Sequence, residues 1–186
     1  MDVFDFPDGA RWEAWLAEHH EAHSEAWLRI AKKGSGIGTI AIGDALDGAL
    51  CFGWIDGQRR SYDEVSFLQR YSSRRPTSSW SKINVAKAEA LLAAGRMRPA
   101  GLAEIDAAKA DGRWDAAYES QRTAKPPPDL AAALADNARA RAAFERLGRS
   151  DRYSLILPLL KARSPQRRAK LLARTVERLA ASTDPD

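Results

Sequence analysis

Six arginines or lysines and two acids lie between Arg59 and Lys82, in the run RRSYDEVSFLQRYSSRRPTSSWSK. The surplus of four equals the formal net charge of the whole 186-residue chain. Tyr62, Phe67, Tyr71 and Trp80 are interleaved with the basic residues. Arginine forks match carboxylate and phosphate, and aromatic faces offer stacking surface, so the run suits an anionic, ring-bearing partner. Arg70, Arg74, Arg75 and Lys82, joined by Lys32 and Lys33, are the candidate cations; Trp54, Tyr71 and Trp80 are the candidate stacking surfaces. A structural reading stands beside the binding one, with Arg70 paired to Asp56 or Asp63 and Trp80 filling the core. Asp56, next to Gly57 and close to Arg59 and Arg60, is either a buried acid that organises the arginines or an Asx-turn residue.

Other groupings carry less chemistry. The string Lys32-Lys33-Gly34-Ser35-Gly36-Ile37-Gly38-Thr39 has its lysines ahead of its glycines and reads GxGxG, so it fits neither a phosphate loop nor a dinucleotide fingerprint. His19, His20 and His23 with Glu21 miss the zincin spacing by one residue, and no second ligand cluster accompanies them; no metal is expected. Cys51 sits among Leu50, Phe52 and Trp54, without the electropositive setting that activates a thiol, and reads as a buried structural cysteine. No cofactor is implied, and no catalytic residue is assigned.

These residues need elements to position them. Asp8 is a helix N-cap candidate ahead of an amphipathic stretch from Arg11 to His23. Glu25 to Lys33 reads as a strand stopped at Gly34-Ser35-Gly36, and Ile42 to Phe52 as a buried helix capped by Gly53. Trp54 to Tyr62 and Val65 to Ser72 form a candidate antiparallel hairpin. A helix is expected from the Pro76-Thr77-Ser78-Ser79 start to Gly95, and another from Pro99 to Asp111-Gly112, followed by Trp114 and Tyr118 as anchors. Lys125-Pro126-Pro127-Pro128 reads as an extended spacer. Beyond it, three or four short helices are expected, one of them kinked or ended by Pro158.

Composition narrows the classes further. Hydrophobic residues make up 45% and charged residues 29%, an ordinary globular mixture. One cysteine precludes an intramolecular disulfide and points to a reducing compartment, so a cytoplasmic location is expected. The acidic N-terminus lacks the pattern of a secretory signal, and no apolar run is long enough to span hydrocarbon, so membrane insertion is not expected. Residues 1 to 25 hold seven acids against one arginine, and residues 161 to 178 hold seven bases against one glutamate. The isoelectric point of about 9.4 permits nucleic-acid binding. A surplus of four charges is weak for a duplex, and nucleic acid ranks below a small anionic ligand.

The strings AWLRIAKKGSGI, CFGWIDGQ and LQRYSSRRPTSSWSKINVAKAEALLAAGRMRPAGLAEIDAAKADGRWDAAY together resemble the YdeI/OmpD-associated family of bacterial proteins, often labelled bacteriocin-protection proteins. WIDGQ, WSKIN and GRMRPAGL in that order carry the resemblance over residues 10 to about 120. KARSPQRRAKLLARTVERLA is similar to the family's helical tail. The resemblance implies a resistance-type role without specifying a reaction. It marks Lys32, Lys33, Trp54, Asp56, Arg70, Trp80, Ser81 and Asn84 as characteristic positions. The chain departs from the pattern at Ile42, where Tyr is expected, and at Gly48, where an acid is expected.

The expected fold is α+β: a small antiparallel sheet packed by helices, with an all-helical C-terminal segment. The expected divisions are a core domain at 1–124, a Pro-rich linker at 125–128 and a helical segment at 129–186. The expected function is a cytoplasmic, stress- or resistance-type binding protein that holds an anionic ligand or protein partner at Lys32, Lys33, Trp54, Asp56, Arg70, Arg74, Arg75, Trp80, Ser81 and Asn84. Two alternatives are an enzyme with Asp56 as acid/base beside a Lys/Arg clamp, and an interaction module that docks through the basic C-terminal helix. Oligomeric state is not encoded in any of these features.

Overall fold

A computed structural model describes residues 2–182. Its first strand, β1, is the short Val3–Phe4, followed by helix α1 (Gly9–His19). Asp8 caps α1 by accepting the Arg11 N–H at 2.9 Å. Strand β2 (Glu25–Ala31) leads through a glycine turn to α2 (Ile42–Cys51). Gly53 then takes φ +72° and turns the chain into β3 (Trp54–Ser61), which pairs with β4 (Ser66–Ser73) as an antiparallel hairpin. Helices α3 (Lys82–Ala93) and α4 (Pro99–Ala110) follow.

The sheet order is β1-β2-β4-β3. Its three long strands are antiparallel, as expected, and β1 adds a parallel edge on β2, which makes the sheet mixed. The α+β class stands. Helix α3 begins at Lys82 rather than at the Pro76 signal, because Arg74 and Trp80 are both buried and hold the intervening chain against the core as a loop.

The described residues form two compact units. The first runs to Trp80 and takes up again at Asn84–Ala116; the second comprises Ser81–Ile83 and the chain from Ala117 onward. This division falls ahead of the triple proline. In the first unit the side chains of Trp12, Leu16, Leu28, Trp54 and Tyr71 are almost wholly buried. Trp12 meets Trp54 and Tyr71 at ring-centroid distances of 6.2 and 5.9 Å, an aromatic core between α1 and the sheet.

The second unit is built from α5 (Pro128–Ala135), α6 (Ala138–Arg146), α7 (Arg149–Lys161) and α8 (Pro165–Ala181). Lys125 to Pro127 are non-helical, with Pro127 extended at φ −58° and ψ 153°; Pro127 is buried and serves as the N-cap of α5, and Pro128 is in the first turn of that helix. Leu130, Phe144, Ile156, Leu159 and Leu179 form the core of the unit. Arg168 binds it together: its guanidinium donates to both carboxylate oxygens of Asp129, at 2.6 and 2.8 Å, and to the Leu159 carbonyl at 2.7 Å. Helix α7 continues through Pro158 and ends three residues later, at Lys161. Among the described residues, no helix is long and apolar enough to cross a membrane.

Candidate functional site

Strand alternation sorts the arginines of the sheet, predicted Arg70 among them. Ala26, Leu28 and Ile30 lie opposite Tyr71, Gln69 and Phe67 on one face of the sheet, whereas Trp27 and Arg29 lie opposite Arg70 and Leu68 on the other. On this second face the arginines already have partners. Arg70 binds Glu25 through Nε at 2.8 Å and Nη2 at 2.7 Å, and this contact holds the Glu25 carboxyl below the usual carboxylate range. Arg60 lies 4.7 Å from the Trp27 ring centroid. Arg29 donates to Asp63 at 3.0 Å, to Asp5 at 3.3 Å and to the Ser66 hydroxyl at 3.0 Å. Arg70 thus pairs with Glu25 and not with Asp56 or Asp63 as the structural reading expected.

The other predicted positions are dispersed. Lys32 donates to the Asp63 and Glu64 carbonyls at 2.9 and 3.1 Å, tying the end of β2 to the hairpin turn. Lys33 and Asp56 are exposed, whereas Asn84 is buried, so these three share no enclosed site. That arrangement gives Asp56 no low-dielectric setting for acid/base work. Trp54 is 1% exposed and belongs to the aromatic core. Arg75 is exposed, its backbone N–H bound to the Ser78 hydroxyl at 3.0 Å. Ser81 belongs to the second unit, where it bridges to Tyr118.

The structure does bring Arg74 and Trp80 together, and adds residues that sequence reasoning passed over. The Arg74 guanidinium lies 3.5 Å from the Trp80 ring centroid, and Trp80 packs on Trp114 at 4.8 Å. Buried Arg113 donates to the Ser78 carbonyl at 3.0 Å and to Asp111 at 2.6 Å. Burial pushes the Glu104 carboxyl up, against the opposing pull of Arg74 and Arg113. Trp114 was legible as an anchor; Arg113 beside it carried no signal of its own. This group pins the loop before α3.

The weaker motifs also find places. His19 stacks on Trp15 at 4.8 Å, and ring nitrogens of His19 and His20 bond the Trp15 and Leu16 carbonyls. Cys51 is fully buried, and burial pushes its thiol to about 11. Gly48 has a packing reason for departing from the acid expected there. A Cβ at this position would lie 2.8 Å from Trp12 Cδ1, and the Trp12 indole N–H donates to the Ala45 carbonyl at 3.0 Å. Trp12 occupies the space an acid would need.

The second unit holds a cavity of about 410 Å³. Phe144, Leu147, Tyr153 and Ile156 supply apolar and aromatic walls, and Arg122, Arg149 and Arg152 supply charge, with no carboxylate in the lining among the described residues. Arg152 is fixed by donating through Nε to the Phe144 carbonyl at 3.1 Å and through Nη2 to the Glu145 carbonyl. The Tyr153 hydroxyl donates to the Glu119 carbonyl at 2.8 Å. Asp151, in the first turn of α7, faces its helix end, so the positive character of the cavity comes from the arginines. Residues 117–186 hold fourteen Lys or Arg against eight Asp or Glu, a net +6, whereas residues 1–116 hold fifteen against seventeen, a net −2. That regional balance is the signal that could have pointed here.

Residues 4–104 match the family model described as Domain of unknown function (DUF8412), and residues 123–182 match the one described as Bacteriocin-protection, YdeI or OmpD-Associated. The family that the sequence motifs resemble thus matches the helical end of the chain, where most of the cavity lining lies. WIDGQ, WSKIN and GRMRPAGL fall within the other match. No curated protein and no solved structure matches the chain.

Proposed function

This chain belongs to the family described as Domain of unknown function (DUF8412), and from that premise, with its C-terminal match to bacteriocin-protection proteins, we propose a cytoplasmic, bacteriocin-protection-like binding protein. Its C-terminal unit holds a small anionic, ring-bearing ligand. The observation that carries this reading is the cavity lined by Arg122, Arg149 and Arg152 beside Phe144 and Tyr153, with no acid in its lining among the described residues. Guanidinium groups on an apolar wall bind an anion more strongly than the same groups in open water, because the wall lowers the local dielectric. The aromatic side chains give the uncharged part of the ligand a surface to cover.

The arginines of the sheet support this reading less well, since Arg70, a predicted cation, and its neighbours Arg29 and Arg60 already contact Glu25, Asp63 and Trp27. Thermal-shift screening with inorganic phosphate, citrate, a nucleoside diphosphate and the corresponding neutral nucleoside tests the proposal. Stabilisation by at least one anion, absent with the nucleoside and lost in Arg149→Ala, is expected. No anion-dependent shift, or one unchanged by Arg149→Ala, overturns it.

A further inference from the structure

We propose that the groove between α7 and α8 docks an acidic amphipathic helix of a partner protein. A depression of about 220 Å³ lies between the two helices and adjoins one of about 430 Å³ lined by α8 alone; the two share Leu171 and Arg174. Exposed Pro158 and half-buried Leu171 form the groove's apolar floor, over Leu155, which is buried in the core of the unit. Arg167, Lys170, Arg174 and Arg178 line it from α8. These four follow one another at three- and four-residue steps, which places them along one stripe of the helix. At 1.5 Å per residue the stripe is about 16 Å long.

Charge and shape select the occupant. Among the described residues neither depression has a carboxylate in its lining; Glu177, on the same helix, is exposed and outside both. A partner helix with glutamates one turn apart would meet successive cations, while its leucines would cover the floor. A nucleic-acid strand would match the cations alone and leave the leucine and proline surface without a partner, so the apolar floor favours the amphipathic helix. The α8 side chains Leu172, Val176 and Leu179 pack into the core of the unit, so the stripe flanks a seated helix. This surface has its own lining residues, none of them shared with the anion cavity.

Fluorescence anisotropy with the full chain tests it. The probe is a labelled peptide of about four helical turns, with leucines at i, i+4, i+7 and i+11 and glutamates elsewhere. Polyglutamate and single-stranded DNA of equal length are the comparisons. The Leu/Glu peptide is expected to bind at least about tenfold more tightly than either. Lys170→Glu combined with Arg174→Glu, both exposed positions, is expected to weaken it by a similar factor with the circular dichroism spectrum unchanged. Arg141→Glu on α6 and Arg149→Ala in the cavity are expected to leave it unchanged, which separates failure here from failure of the anion-site reading. Absence of peptide binding, equal binding of polyglutamate or DNA, or indifference to the double charge reversal overturns the proposal.

Discussion

Single side chains divide here into those that hold the fold and those exposed on the cavity wall. Arg149 and Arg152 line the same cavity, yet Arg152 also donates to two backbone carbonyls whereas Arg149 is exposed. Arg152→Ala is therefore expected to destabilise the protein by about 1–3 kcal/mol, the cost of leaving such acceptors unpaired. Arg149→Ala is expected to stay within about 0.5 kcal/mol of the parent. Urea denaturation distinguishes the two, and equal losses would contradict this division of roles. Gly48 supplies a second prediction. Its missing Cβ makes room for Trp12, so Gly48→Asp forces a repacking expected to cost about 1–3 kcal/mol, more if the carboxylate stays buried without a partner. A variant as stable as the parent in urea would show that α1 and α2 separate easily at this point.

Between elements, one ion pair has a pH signature. The Arg168 contact holds Asp129 below its ordinary value of 3.8 and joins α8 to α5. The folded state therefore binds this proton less readily than the unfolded state does. The pair's contribution is fully present above the unfolded value near 3.8 and is lost as pH falls below it through the depressed folded value. Asp129→Asn is expected to lower the thermal midpoint at pH 7 and to bring it closer to the parent's as pH falls from 4 toward 2. A difference that stays constant over that range would contradict the assignment. Pro158 is a second case at this scale. It lacks the N–H that would bind the Ser154 carbonyl one turn earlier, so Pro158→Ala is expected to raise the stability of α7 by about 1 kcal/mol or more. A lower urea midpoint would mean that the proline ring's packing outweighs the lost bond.

Across the whole molecule, the periodicities of the chain foretold most of its architecture. Asp8 capping α1, the α2 helix with Gly53 at positive φ, the hairpin and α4 all follow from local spacing and side-chain type. The Val3–Phe4 edge strand was not legible, since two residues carry no alternation. Nor was the delayed start of α3, which depends on long-range burial of Trp80 against Trp114. The proposed site keeps the arginine–aromatic chemistry read from the sequence and puts it in the second unit instead of on the sheet. Counting charge over Arg59–Lys82 did not reveal that Glu25, 45 residues before Arg70, returns beside it in the sheet. The unbalanced charge lies after residue 116, where the Arg122, Arg149 and Arg152 cavity forms. Isothermal titration calorimetry of the strongest anion from the thermal-shift panel, against the parent, Arg149→Glu and Arg70→Glu, tests that relocation most directly. Binding should be abolished by Arg149→Glu and retained by Arg70→Glu; the opposite pattern would return the site to the sheet and contradict the account.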